Sequence, residues 1–164
     1  MSSPLLLRYK VSGDDFARAG EASSNIKNTL KQLGFPPSVI RRTVISLYEG
    51  EINMVIHAGG GEILADINPH TIKLELVDKG PGIADIEKSM EMGYSTASDE
   101  ARSLGFGAGL GLPNMEKNSD KLIINSRPGQ GTKVVMEIYN QGARLDGINT
   151  AADPEKNSGG SVSV

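Results

Sequence analysis

The chain has 164 residues, 20 of them glycine, with four Tyr, three Phe, no Trp and no Cys. That length suits one domain with a real core, and the lack of cysteine excludes disulfides and thiolate metal sites, so a reducing cytoplasm is the expected home. Seventeen basic against 20 acidic residues leave a net charge of −3, too little basic character for a nucleic-acid surface, and no apolar run reaches the roughly 18 residues of a membrane span.

Leu5 to Val11 reads as a short apolar strand. Phe16, Ala19, Ile26, Leu30 and Leu33 then recur at helical spacing, which predicts one helix over 14–33 with Gly34 as its stop. After the break at Phe35-Pro36-Pro37, a strongly apolar helical pattern runs from Ser38 to Ala58 and ends at Gly59-Gly60-Gly61. Glu62–Ile67 and Thr71–Val77 form a hairpin across Asn68-Pro69-His70. Ile83–Met90 reads as a short helix, and the polar, aperiodic stretch Met92–Leu104, hinged by Gly93 and Gly105, reads as a mobile lid. A helix near Leu112–Asn118 and a last hairpin, Lys121–Ser126 with Thr132–Tyr139, complete the pattern. Residues 1–140 thus read as one domain, and 141–164, poor in large apolar side chains, as a disordered tail.

Four short patterns carry chemistry. Glu49 and Asn53 stand at i and i+4 on the buried helix, so they share a face one turn apart. They form either a solvated helix rim or a Mg²⁺ ligand beside a proton-accepting carboxylate. Glu51 points elsewhere and reads as solvated. Asp78-Lys79-Gly80-Pro81-Gly82 closes an apolar strand; it is either an ordinary turn or a fixed carboxylate for an exocyclic amine, with glycines that admit a flat ring. Gly105 to Gly111 alternates glycine with other residues and opens a helix, which offers backbone N–H groups and a helix dipole to phosphate. It is neither a P-loop nor a dinucleotide fingerprint, since the sixth position is Leu110. Gly129-Gln130-Gly131-Thr132 alone is a hairpin turn. His57, His70, Met90, Met92, Ser95 and Thr96 read as packing or loop residues.

In order and spacing, E-x-x-x-N, D-x-G-x-G, G-x-G-x-G-x-G and G-x-G-T together resemble the GHKL ATPase superfamily over about residues 5–139. Within it, Glu49…Asn53…Ile56-His57-Ala58, Gly93-Tyr94-Ser95-Thr96 and Gly109-Leu110-Gly111-Leu112-Pro113 look like the anti-sigma-factor serine/threonine kinases of the switch-kinase branch. The resemblance implies a two-layer α/β sandwich, a mixed sheet with helices on one face. It implies ATP and Mg²⁺, with Glu49 as catalytic base and Asn53 on the metal. Asp78 would hold the adenine amino group, Gly80 and Gly82 would shape the base pocket, Thr132 would support the water network beside the adenine, and Gly105, Gly107, Gly109, Leu110 and Gly111 would wrap the triphosphate. The implied partners are a STAS-type antagonist protein and a sigma factor or other regulator, and a homodimer stays open. An ATP-gated binding module without phosphotransfer is the alternative. Gly50-Glu51 departs from the small or apolar residues the family carries there, which implies added negative charge near the metal and weaker transfer.

Overall fold

Alternating burial along three strands shows where the core lies. In β3 (Thr71–Asp78), Ile72, Leu74 and Leu76 are buried while Thr71, Lys73, Glu75 and Val77 turn to the other face. The same period of two places Ile63, Ala65 and Ile67 of β2 (Gly60–Ile67) and Val134, Met136 and Ile138 of β5 (Gly131–Tyr139) inward. The computed structural model describes residues 4–13, 15–83, 90, 111–141 and 161–163.

The sheet runs β1-β2-β3-β5-β4-β6, with β1 at Leu5–Ser12, β4 at Lys121–Arg127 and β6 at Ser161–Ser163. The first five strands are antiparallel; β6 adds to the edge of β4 in parallel, Ile124 opposite Val162. Residues 161–163, within the stretch expected to be a tail, pair with the outer edge of β4.

The helices cover the apolar face, as the sandwich expectation required. Helix α2 (Pro37–His57) opens with Pro37 at its first position, where a missing N–H costs nothing, and lies across the sheet. Helices α1 (Glu21–Gln32) and α3 (Gly111–Asn118) pack on its two sides. At Gly50 the helix comes close to the sheet: a Cβ there would collide with Leu76 Cδ2 of β3. Helix α1 is shorter than expected. A 3₁₀ turn at Phe16–Arg18 precedes it, and Gly20, at φ 94°, breaks the continuous helix that periodicity alone suggested. Its end matches expectation: Gly34 (φ 81°) donates to Lys31 O and Phe35 to Leu30 O, which closes the helix with an αL glycine. Among the described residues no helix is long and apolar enough to cross a membrane.

Candidate functional site

Glu49 and Asn53 sit half-buried on the flank of α2 that faces α3. Two core side chains, Leu112 and Met115, anchor α3 and bring its first turn over the pair. A Cβ on Gly111 would lie 3.2 Å from Asn53 Nδ2, 3.4 Å from Asn53 Oδ1 and 3.5 Å from Glu49 Oε2. Glycine there leaves room for the two polar side chains under the start of the helix. From the same turn Asn114 Nδ2 donates to Glu49 Oε1 at 3.2 Å. The sequence reading passed over Asn114; its only signal is its place three residues after Gly111, on the same helical face.

A second cluster forms at the end of β3. Asp78 lies opposite Thr132 in the β3–β5 register, and its Oδ1 accepts the N–H groups of Gly80 (2.9 Å) and Thr132 (3.2 Å). Oδ2 takes no hydrogen bond from the described residues. Burial pushes the Asp78 carboxyl above its ordinary value, and the two backbone donors pull against that rise. Gly82 (φ 79°) presses on the Arg127 carbonyl and Gly131 (φ 88°) on the Asp78 carbonyl, so neither has space for a Cβ. Gly129 N donates to Pro81 O at 2.7 Å, which ties the Asp78 turn to the last hairpin. The D-x-G-x-G and G-x-G-T segments, separate in sequence, thus make one wall.

Ser126 is a further member that the sequence reading missed. It is buried at an inward position of β4, after Leu122 and Ile124, and a hydroxyl in that apolar series was the available signal. Its Oγ lies 2.8 Å from Thr132 Oγ1 and accepts the Ile83 N–H at 2.7 Å. Gly80 abuts the last turn of α2: a Cβ there would stand 2.6 Å from Ala58 Cα. His57, in that last turn, is held below the usual imidazole range by burial, which favours its neutral form.

Glu51 corrects the expectation most directly. It is buried, not solvated, and faces α1. Its Oε2 accepts the N–H groups of Gly20 (3.0 Å) and Ala22 (3.1 Å), while Oε1 accepts Ser23 N (3.0 Å) and Ser23 Oγ (2.7 Å). The carboxylate is the N-terminal cap of α1, supplied from another helix because Gly20 has no side chain to offer. Four donors and the helix dipole offset the desolvation of the charge. It therefore adds no carboxylate to the Glu49–Asn53 face, and Gly50 serves the contact with Leu76.

Gly105, Gly107, Gly109, Leu110, Ser95, Thr96, the lid 92–104 and most of the short helix expected over 83–90 lie outside the described residues. Ile83 and Met90 at the borders of that segment pack against the core. A cavity of about 240 Å³ beside β1 and α1, lined among others by Arg8, Lys10, Arg18 and Glu51, includes none of the predicted site residues.

Among the described residues there is no group of three or more His, Cys, Asp or Glu able to hold a metal ion. The half-buried Asn53 carboxamide oxygen, under the start of α3, fits an ion such as Mg²⁺, which keeps most of its shell for water and phosphate.

The family model described as "Histidine kinase-, DNA gyrase B-, and HSP90-like ATPase" matches residues 26–141. The chain belongs to this ATPase family. Curated relatives place this ATPase domain more narrowly. The serine/threonine-protein kinase RsbT of Bacillus subtilis (strain 168) is 35% identical over 112 residues, 66% of this chain and 78% of the relative. Anti-sigma F factor of Thermoanaerobacter sp. (strain X514) is 30% identical over 136 residues, 79% and 87% of the two chains. Anti-sigma F factor of Clostridium acetobutylicum is 32% identical over 135 residues, 78% of this chain and 86% of the other.

Proposed function

We propose that the chain is an ATP- and Mg²⁺-dependent protein serine/threonine kinase and anti-sigma regulatory factor, acting on a STAS-type antagonist protein in a partner-switching pathway. The observation that carries the reading is the meeting of Glu49 and Asn53 with Gly111, at the start of the helix that follows the glycine-rich segment. The names of the relatives, a serine/threonine kinase and anti-sigma F factors, support the same class.

Asp78 accepts the adenine amino group on Oδ2, Gly80 and Gly82 let the ring approach the backbone, and Thr132 holds the water beside it. Gly105, Gly107, Gly109, Leu110 and Gly111 wrap the triphosphate. The Asn53 carboxamide oxygen would hold Mg²⁺, which when bound would supply neutralisation of charge on the phosphate oxygens. Glu49 takes the proton of the substrate hydroxyl as that oxygen forms its bond to the γ-phosphorus. The bond from the γ-phosphorus to the β,γ-bridging oxygen breaks, and ADP leaves with the electron pair.

The test is incubation of the chain with γ-labelled ATP, Mg²⁺ and a candidate STAS-type protein. Label on a serine or threonine of that partner is the expected result. A complex that forms only with ATP, and carries no label, would replace the kinase by an ATP-gated binding module.

A further inference from the structure

We infer that Asn114 is a positioning residue for Glu49: it selects the carboxylate oxygen that takes the proton and makes that selection depend on the seating of α3. The inference rests on the reading of Glu49 as base. Its ground is the contact of Asn114 Nδ2 with Glu49 Oε1 at 3.2 Å, between half-buried side chains 65 positions apart. Only the amino end of a carboxamide can meet a carboxylate favourably, because its carbonyl end would oppose lone pair to lone pair. Oε1 is thereby engaged, and Oε2 is the oxygen on the Gly111 side. A base held by a third group in this way loses less freedom when the substrate arrives.

The position of Asn114 gives the contact its second consequence. The residue stands one turn into α3, and α3 begins where the glycine-rich segment ends. Leu112 and Met115 bury the helix in the core, Met115 beside Gly50 of α2, while Gly111 and Asn114 meet Asn53 and Glu49. Any displacement of the first turn of α3 draws Asn114 from Glu49 and leaves the carboxylate free to rotate. Asn118 Nδ2 donates to the Asn114 backbone carbonyl at 2.9 Å, so substitution of the Asn114 side chain leaves that bond in place.

The experiment uses the full chain with ATP and Mg²⁺, phosphate release as the rate, and a fluorescent ATP analogue for affinity. Asn114→Asp is nearly isosteric, removes the donor and sets a second carboxylate against Glu49. It should cut turnover by roughly 10- to 100-fold while affinity stays within about three-fold. Asn114→Ala should lower turnover with affinity likewise kept, and should cost nothing further in a Glu49→Gln background, since the two act as a unit. Wild-type turnover in both Asn114 variants, beside an inactive Glu49→Gln, would overturn the inference alone. Affinity lost in step with turnover would also overturn it, as the mark of a mere prop for α3. Undiminished turnover in Glu49→Gln would remove the base itself, and the inference with it.

Discussion

Glu51 and Ser23 are joined twice through one oxygen: Glu51 Oε1 accepts both the backbone N–H of Ser23, at 3.0 Å, and its hydroxyl, at 2.7 Å. This contact and its neighbours at Gly20 and Ala22 lock α1 to the middle of α2, two residues from both Glu49 and Asn53. Glu51→Ala would orphan several buried donors in the first turn of α1. It should cost roughly 2–4 kcal/mol in denaturant unfolding, the sum of a lost cap and lost charge-assisted bonds. Nucleotide affinity of the folded fraction should remain near that of the wild type. A loss below about 0.5 kcal/mol, the range of an ordinary surface change, would return Glu51 to the solvated role its sequence position suggested.

Glu49→Gln keeps shape and hydrogen-bonding reach but cannot take a proton. It should leave Mg²⁺-ATP affinity within a few-fold and cut phosphotransfer by roughly 10²–10⁴. Asn53→Ala removes the oxygen proposed to hold the metal, so ATP binding should weaken far more in Mg²⁺ than in EDTA. Equal losses in the two buffers would make Asn53 a structural residue.

Asp78→Asn should separate stability from binding. Desolvation raises the folded-state pKa of Asp78, so the native chain holds that proton more readily than the unfolded chain. The resulting stability is present below the unfolded value and is lost as pH rises through the folded one, so at neutral pH the ionised group works against folding. The asparagine keeps an acceptor for Gly80 and Thr132 but presents no charge to adenine. The melting temperature at pH 7 should be equal or higher, while ATP affinity drops about 10- to 100-fold, as for a lost bond to a charged group. Wild-type affinity in the variant, measured by calorimetry, would remove Asp78 from the adenine pocket.

Gly111→Ala tests the space under α3. The residue is the first of its helix, outside the interior where glycine is costly, so alanine should leave the helix about as stable. Its Cβ would stand 3.2 Å from Asn53 Nδ2, however, and push on the Glu49–Asn53 pair. Thermal stability should hold while Mg²⁺-ATP turnover falls at least several-fold. A variant as active as the wild type would show that this gap has no role in binding.

Much of the fold was legible because its signals are local. The period of two in Thr71–Val77, the glycines after Ala58 and the Pro36-Pro37 break mark elements by constraints that act within a few residues. The i, i+4 spacing likewise placed Glu49 and Asn53 on one helical face before any tertiary contact was known. What a side chain meets across the fold has no such signature. Glu51 differs from a solvated glutamate only because Gly20, Ala22 and Ser23, about 30 positions earlier, present bare N–H groups to it. The start of α1 at Glu21, the Ser126–Thr132 contact and the bond from Asn114 to Glu49 depend in the same way on how elements pack. Local sequence determined which helices and strands form and which faces they bury. Tertiary structure decided which buried polar groups find partners, because desolvation penalises each of them until a specific donor or acceptor from elsewhere in the chain arrives.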